Sequence, residues 1–367
     1  MTKPRAVFLT PELPALGQGG GALRSESLLQ FLRRNYDVDV VSFEVRHHSL
    51  STVARVSRNV VRLLRGRPPL FDRYSGYENQ IAAQLRSELY DLAVVEHFWC
   101  ASYATLLRPR AKRLVLDLHN IESQLARTHA TQLRGVEAAA WVRFAKSYEA
   151  LEAEWLPRFD TLLVASEEDR ARVQHPDVRV FPNALPELPV PVAAEHQSIA
   201  SIVFSGNLEY HPNMEAVRWF ATEIWPRVRE RYPDLEWRLV GRNPQAVERL
   251  LRGVPKVHVT GAVEDALPEI AASALAIVPL RSGSGTRFKI LEAWAARRAV
   301  VSTTIGAEGL GARDGEHLLL ADDADAFAQA IARVLDDAAL RAKLGAAGRE
   351  LYLENFTWTA AWRMLEL

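Results

Sequence analysis

The amino-acid sequence predicts an α/β protein made of two doubly wound, Rossmann-like domains that face each other across a cleft. Short apolar runs alternate with segments of helical periodicity along nearly the whole chain, which is typical of parallel sheets between layers of helices. The apolar runs are mostly continuous rather than alternating, so both faces of the strands are expected to be covered. A proline-rich segment at 185–198 interrupts this pattern, which then begins again.

Six strands are expected on each side of the interruption, in a first domain at 1–185 and a second at 200–356, joined by a linker at 186–199. The expected strands are 6–10, 38–43, 92–98, 113–120, 161–166 and 178–183, then 201–206, 236–241, 257–261, 275–280, 299–303 and 317–321. The expected helices are 22–34, 76–89 and 136–157, then 213–231, 244–252, 265–273, one from about 287, 323–337, 338–355 and 358–366. The aromatic stripe of 136–157 has the spacing of a core-facing helix rather than a binding surface.

The composition excludes several classes of protein. The formal net charge is zero, which gives no general reason to expect nucleic acid as a partner. The single cysteine, Cys100, cannot form an internal disulfide, so a reducing compartment is expected. The N-terminal apolar run is too short for a signal peptide, and no run approaches the ~20 residues of a membrane span. We therefore expect a soluble, cytoplasmic protein.

A glycine-rich loop follows the first predicted strand, where ligands of parallel sheets bind. Gly17, Gly19, Gly20 and Gly21 lead into a helix, so the backbone can approach a phosphate or a sugar, although a merely mobile loop would have the same composition. Six residues separate Thr10 from Gly17, whereas a dinucleotide-binding turn has its first glycine immediately after the strand. This spacing argues against a dehydrogenase.

Two further strand ends of the first domain carry histidines. His119, in "LVLDLHNIES", is placed to hydrogen-bond a hydroxyl or to handle a proton, or else it closes the turn. His97 and Trp99, in "VVEHFWC", are expected to pack, with contact to an acceptor as the alternative.

The second domain repeats this arrangement. Gly206 and Asn207 allow close backbone approach, and Asn213 is expected to cap the helix that follows. Arg242 suits a phosphate or a carboxylate, or is a solvated arginine beside a helix start.

The segment "SGSGTRFKILEAWAARRAVVST", at 282–303, is the most informative. A helix beginning near Thr286 would direct unpaired N–H groups, together with Arg287 and Lys289, toward an anion. Glu292 could accept hydrogen bonds from a vicinal diol such as a ribose. The structural alternative is a local ion pair between Lys289 and Glu292, worth about 0.2–0.5 kcal/mol.

Taken together, these segments resemble the retaining glycosyltransferases of family 4, which have the GT-B fold. The resemblance rests on "SGSGTRFKILEAWAARRAVVSTTIGAEGL", "SGNLEYHPNMEAVRWF" and "LVGRNP", and on "GQGGGALRS" near the N-terminus. It implies that Glu292 binds the donor ribose and that the backbone at Gly285 and Thr286 lies against the sugar and the diphosphate.

The resemblance further implies that Gly20 and Gly21 approach the donor phosphates and that His119 contacts the transferred sugar. Arg287 and Lys289 are the candidates for neutralising the departing diphosphate. One position differs from the family: Ser284 stands where many members have a glutamate that grips the sugar hydroxyls. A serine can still form hydrogen bonds, but it supplies no carboxylate.

The expected activity is transfer of a sugar, with retention, from a UDP- or GDP-sugar to a glycan, lipid-linked or small-molecule acceptor. No cofactor or metal is implied, and the acidic pair at 37 and 39 is discounted because it opens a strand. The last helix, at about 357–367, is implied to pack back on the first domain. A GT-B sugar-nucleotide epimerase and a non-catalytic sugar- or nucleotide-binding protein remain as alternatives.

Residues 52–73 predict a basic helix in an otherwise neutral protein. Arg55, Arg58, Arg62 and Arg65 fall on one stripe, and Val53, Val56, Val60, Leu63 and Leu64 fall on the opposite side. Such a helix either lies on an anionic membrane or meets a lipid-linked acceptor, or it is a solvated face.

Overall fold

The computed structural model describes residues 3–11, 13, 20–45, 51–131, 133–191, 201–283 and 287–365. The described residues form two compact units. The first unit holds those up to Asn183 and those from Trp362 onward, and the second unit holds those from Ala184 to Ala361.

Each unit is built on a six-stranded sheet of parallel strands. The order is β2-β1-β3-β4-β5-β6 in the first unit and β12-β11-β10-β7-β8-β9 in the second. The strands are β1 Arg5–Leu9, β2 Asp37–Val41, β3 Tyr90–Glu96, β4 Ala111–Asp117, β5 Thr161–Val164, β6 Val178–Val180, β7 Ser201–Ser205, β8 Glu236–Val240, β9 Val257–Gly261, β10 Leu275–Val278, β11 Ala299–Ser302 and β12 Leu319–Leu320. The continuous burial of central strands such as β1 and β3 confirms that helices cover both sheet faces.

The helices of the first unit are α1 Gly20–Asn35, α2 Thr52–Leu64, α3 Pro69–Arg73, α4 Glu78–Ala82, α5 Ala104–Leu107, α6 Glu122–Thr131, α7 Gly135–Trp155 and α8 Glu167–Arg172. Those that follow are α9 His211–Trp219, α10 Trp225–Arg231, α11 Gln245–Leu251, α12 Leu267–Ala271, α13 Phe288–Ala295, α14 Ala324–Asp336, α15 Ala338–Asn355 and α16 Trp358–Arg363. A π-helical turn, Phe220–Ile224, joins α9 to α10. From α16, Trp362 donates a hydrogen bond to the Ser27 carbonyl of α1 at 3.0 Å.

Sequence reasoning misjudged one helix and overlooked others. The expected helix at 76–89 is only α4, followed by turns. The helix expected from about 287 is confirmed: it begins at Phe288, with Arg287 as the residue before its first turn. Helix α6, which packs closely against α7, was not predicted at all. The aromatic stripe of α7 does pack against the core, as predicted, with Phe144 and Tyr148 fully buried.

The strand order places one topological switch point in each sheet. In the first sheet, β1 lies between β2 and β3, and in the second sheet β7 lies between β8 and β10. Chain connections leave in opposite directions at these strands, which opens a crevice at their carboxyl ends. The polar residues of the two clusters described below lie near these strand ends. Within the part of the chain that the structure describes, none of the helices combines the length and hydropathy that a bilayer crossing requires.

Candidate functional site

The second unit carries a polar cluster where β7 ends beside helix α13. The Ser205 hydroxyl, on the last residue of β7, donates a hydrogen bond to Oε2 of Glu292 at 3.2 Å. Burial raises the pKa of Glu292, although the Ser205 hydrogen bond and the charge of Lys289 oppose the increase. One bound hydroxyl leaves most of the acceptor capacity of a carboxylate available to a ligand. The group is therefore suited to a diol.

Lys289 lies in the same cluster but does not pair with Glu292. Its Nζ donates to Oδ1 of Asn213 at 3.0 Å and lies 5.1 Å from the ring centroid of Phe204. Burial lowers the pKa of Lys289 to about 8; Glu292 raises it, and Arg287 lowers it further. The local ion pair considered as a structural alternative is thus not formed among the described residues.

Asn213 holds the lysine instead of capping a helix. Helix α9 begins at His211 after Tyr210, which places Asn213 inside its first turn, so the prediction of a cap was wrong. While its side-chain oxygen accepts from Lys289, its Nδ2 donates to the Asn207 carbonyl at 2.7 Å. Asn213 therefore links the lysine to the loop that follows β7.

This loop and the loop after β8 pack against each other through glycines. A Cβ atom on Gly241 would lie 1.7 Å from the Gly206 carbonyl oxygen, and one on Gly206 would lie 3.5 Å from Nζ of Lys289. Asn207 itself is exposed, and its Oδ1 accepts from Asn243 at 3.0 Å. The structure thus brings Gly206 and Lys289 together, as expected of one site.

Arg242 is less closely integrated. Its side chain is exposed, and its carbonyl oxygen accepts a hydrogen bond from the Leu208 N–H at 2.9 Å. These observations fit both interpretations of Arg242, a ligand contact and a solvated arginine.

Arg287 immediately precedes α13 and is only 5% exposed. Its Nη2 donates to the Gly283 carbonyl at 3.0 Å and lies 3.5 Å from Oε2 of Glu308. Within the described chain its buried Nε has no partner, and burial lowers the pKa of the guanidinium. Arg287 therefore holds the end of the turn, whose residues Ser284, Gly285 and Thr286 lie outside the described residues.

The first unit has a second polar cluster, at the ends of β3 and β4. Glu96 and Asp117 are paired in the register of these two strands, so two fully buried carboxyl groups lie side by side. Nε2 of His119 lies 3.3 Å from Oε1 of Glu96 and 3.3 Å from Oδ2 of Asp117. Arg24, from α1, donates through its Nε to both oxygens of Asp117, at 3.0 and 2.9 Å.

These contacts set the protonation of the cluster. Burial alone would lower the pKa of His119, but the hydrogen bonds and charges of Asp117 and Glu96 raise it to about 8. Burial would likewise raise the pKa of Asp117, but Arg24 and His119 hold it well below its ordinary value. Glu96, Asp117 and His119 also have the spacing of a possible cation site, with their ligand atoms within 4.8 Å of one another. Arg24 already forms hydrogen bonds with both oxygens of Asp117. We therefore interpret the cluster as two carboxylates whose charge is balanced by a guanidinium and an imidazolium.

The two nitrogens of His119 face different groups. Nε2 faces the carboxylates, whereas Nδ1 would lie 3.7 Å from a Cβ atom on Gly21. Gly20 is the first residue of α1, so the imidazole lies beside the start of this helix. Gly21 and His119 are therefore brought together within the first unit, as the sequence predicted for two residues of one site; Gly17 and Gly19 lie outside the described residues.

His97 and Trp99 form a stack beside His119. The His97 ring lies 4.2 Å from the Trp99 ring, nearly parallel to it, and 3.7 Å from the His119 ring. Burial and the charge of His119 hold the pKa of His97 well below its ordinary value. The backbone φ of His97 is 63°, a region that a non-glycine residue adopts at a cost. Packing, the favoured interpretation of this pair, agrees with these contacts.

Sequence reasoning missed Arg24, Asp117 and Ser205. A signal was present for the first two, because the strand "RLVLDLHN" contains one acid among apolar residues. A buried carboxylate requires a partner, and the arginine in the first turns of α1 was a candidate. Ser205 carried no comparable signal.

Comparison with protein families shows which family the chain belongs to. The family model described as Glycosyltransferase Family 4 matches residues 18–186, and the model described as Glycosyl transferases group 1 matches residues 200–337. The chain belongs to the family-4-like glycosyltransferases. Together the two matches cover both clusters of this glycosyltransferase, including Arg24, His119 and Glu292.

Solved structures confirm the expected GT-B fold of the glycosyltransferase. It is similar to sucrose-phosphate synthase from Thermosynechococcus elongatus, at 18% identity and a TM-score of 0.68, over 98% of this chain and 97% of that one. It is also similar to HepE from Anabaena in complex with UDP-glucose, at 14% identity and a TM-score of 0.63, with the same coverage of each chain. In sequence, it is 23% identical to an uncharacterized 44.6 kDa protein in the cps region of Klebsiella pneumoniae, over 89% of this chain and 90% of the relative.

Proposed function

We propose that this glycosyltransferase moves a hexosyl group from a UDP- or GDP-sugar to an acceptor, with retention at the anomeric carbon. The observation that carries the proposal is the cluster at the end of β7. A half-buried carboxylate and a half-buried ammonium, Glu292 and Lys289, lie one turn apart on α13, and each is held by a neutral side chain rather than by the other. The carboxylate can accept hydrogen bonds from a ribose diol, and the ammonium can bind a diphosphate. The complex of HepE with UDP-glucose supports this class of donor.

In this proposal, the residues of the two clusters have separate roles. Glu292 accepts hydrogen bonds from the ribose. The sugar and the diphosphate contact two loops, which comprise Ser284, Gly285 and Thr286, and Gly206 and Asn207. Arg242 is a further donor contact. Lys289 and Arg287 stabilise the charge that develops on the departing diphosphate, which is the largest contribution a protein makes to such a transfer. His119 contacts the transferred sugar, and Gly20 and Gly21 contact the phosphates.

The chemistry needs no metal in this scheme. Departure of the nucleoside diphosphate and attack by the acceptor hydroxyl occur on the same face of the sugar, which gives retention. The cations and the N–H groups at the start of α13 take the place of a metal on the diphosphate. Ser284 can position a sugar hydroxyl, but it cannot supply the charge of the usual glutamate.

For the acceptor, we propose a glycan or a lipid-linked saccharide in polysaccharide biosynthesis, with the reaction taking place in the cytoplasm. The support is the relative in the cps region of Klebsiella pneumoniae, which the chain matches over nearly its whole length. Contact with this acceptor is the alternative to packing for His97 and Trp99. The Trp99 N–H donates to Glu122 at 2.8 Å, so the tryptophan would contribute a ring face.

The first test is a calorimetric titration of the wild-type protein with UDP and with GDP. We expect one of the two to bind at micromolar to millimolar concentration and to raise the melting temperature, because it binds only the folded protein. Release of the same nucleoside diphosphate from its sugar donor should then depend on an acceptor, which separates a transferase from an epimerase. If neither nucleotide binds, the proposed donor site is wrong.

A second test uses the low pKa of Lys289. At pH 8 about half of the ammonium groups would be deprotonated, and a bound diphosphate would favour the charged form. We therefore expect binding of the nucleoside diphosphate at this pH to take up protons, measured by calorimetry in buffers of different ionisation enthalpy. Lys289→Met should remove most of this uptake and weaken binding about tenfold, a loss of one charged hydrogen bond.

The matched control is Lys256→Met, which changes an exposed lysine of the same unit. Proton uptake that persists in Lys289→Met would assign the titrating group elsewhere and remove the lysine from the diphosphate site.

A further inference from the structure

Helix α2 turns the Arg62 side chain toward the protein. Arg62 is buried, and its Nε donates to Oδ2 of Asp72 at 2.8 Å, while its Nη1 donates to Oδ1 of Asn59 at 3.3 Å. The Leu63 carbonyl accepts from Nε of Arg143, on α7, at 3.4 Å. The contacts with Asp72 and Arg143 show that the side of the helix that carries Arg62 is covered.

The opposite, apolar side of α2 is therefore exposed. Val56 is 55% exposed, Val60 50%, Val61 42% and Leu64 78%. Val56, Val60 and Leu64 are spaced four residues apart and lie on one face of the helix. A surface helix of a globular protein normally buries this stripe, and a contiguous exposed apolar face marks an interaction site.

The surroundings of this face are cationic. Between Glu44 and Asp72 the sequence contains no acidic residue and six arginines. Two of these, Arg65 and Arg67, are exposed and follow the last turn of α2. Gly66 lies between them with a φ of 62°, the left-handed conformation that ends a helix. Exposed cations thus lie at the end of the apolar face.

We propose that α2 binds the surface of an anionic lipid bilayer, with Val56, Val60 and Leu64 inserted between the headgroups and with Arg65 and Arg67 on the lipid phosphates. An apolar stripe bordered by arginines is the pattern of helices that lie in the membrane interface. Each cation near an anionic surface adds attraction. The proposal concerns where the enzyme works and does not depend on the donor or on the reaction.

The charge around the apolar face of α2 favours an anionic bilayer over a second copy of the chain as its partner. A symmetric dimer through α2 would bring two acid-free, arginine-rich segments together, and such like charges oppose association. A bilayer containing phosphatidylglycerol supplies the missing negative charge and an apolar layer at once.

The test is co-sedimentation of the full chain with phosphatidylcholine vesicles, with and without phosphatidylglycerol. We expect binding only to the anionic vesicles, and weaker binding as salt is added. The double variant Val60→Asp/Leu64→Asp should bind at least ~10-fold more weakly, because it loses two inserted side chains. Arg65→Gln and Arg67→Gln should each weaken binding about 5-fold.

Leu89→Asp/Val190→Asp is the matched control, since both residues are exposed aliphatic side chains outside α2. It should bind the vesicles like the wild type. Every variant is also titrated with UDP and GDP, so that a folding defect, or failure of the donor site, is seen separately from loss of vesicle binding. The proposal is overturned if the wild type does not bind anionic vesicles or if Val60→Asp/Leu64→Asp binds them equally well. It is also overturned if light scattering shows a dimer that this double variant dissociates.

Discussion

Glu292→Ala is expected to lower kcat/KM on the order of 10²–10⁴-fold, the largest loss among the donor-site residues. A carboxylate that accepts two hydrogen bonds from a ribose contributes about 1.5–3 kcal/mol for each bond, and about 1.4 kcal/mol corresponds to a factor of ten. The measurement is steady-state release of the nucleoside diphosphate, together with calorimetric affinity for UDP and GDP.

The same substitution should not destabilise the fold at neutral pH. Burial raises the pKa of Glu292, so the ionised group costs free energy in the folded state at any pH above the ordinary value of 4.5. The alanine variant should therefore melt at the same temperature as the wild type or higher at pH 7. Below pH 4.5 the wild-type carboxyl is protonated in both states, and this advantage should vanish. A loss of activity with an unchanged or higher Tm separates function from folding.

Two controls sharpen the result. Glu292→Gln keeps the shape and one acceptor oxygen, so it should retain part of the affinity that alanine loses. Glu248→Ala removes an exposed carboxylate on α11 of the same unit and should leave both kinetics and binding unchanged. Wild-type affinity for both nucleotides in Glu292→Ala would show that the ribose binds elsewhere.

The sequence predicted the sheets well because their signal is local. The run "LAVVEHF" begins with consecutive apolar residues of strand length, which is typical of a parallel strand covered on both faces. The strand ends then indicated His119 and Gly206 as candidates, and the segment after β10 indicated Glu292, because ligands of such sheets bind at this edge. These parts of the prediction needed no knowledge of which side chains meet.

What the sequence could not supply was the partner of each polar group. Lys289 and Glu292 are spaced for a local ion pair, yet Asn213 and Ser205 take their place. Both partners come from the chain around β7, far away in sequence, so helical spacing could not reveal them. Helix α2 illustrates the same limit: its amphipathic pattern was clear, but only the ion pair between Arg62 and Asp72 determines which side faces the protein.

The second large effect is expected at His119, whose charge should limit activity at high pH. Asp117 and Glu96 raise its pKa to about 8, so the imidazolium predominates at neutral pH and is lost above it. If the positive ring positions the sugar, His119→Gln should lower kcat about 10²-fold, the lower end of what a positioned acid or base contributes. His258→Gln, on an exposed histidine of β9, is the control and should leave kcat unchanged.

The pH profile alone would not identify this group, because the pKa of Lys289 is also about 8. Glu96→Gln resolves the ambiguity. It removes one of the two carboxylates that face His119 while Arg24 remains paired with Asp117, so it should lower the pKa of His119 alone. The alkaline limit of kcat/KM should then move to lower pH, in step with the ring titration measured by NMR without substrate.

The stability of the protein should follow the same titration. A histidine whose folded pKa exceeds its ordinary 6.5 stabilises the fold fully below that pH, and the contribution is lost as the pH rises through about 8. Glu96→Gln should reduce this dependence because it brings the folded and unfolded pKa values closer together. An alkaline limit that stays in place while the NMR titration moves would exclude His119 as the group that controls activity and leave Lys289 as the candidate.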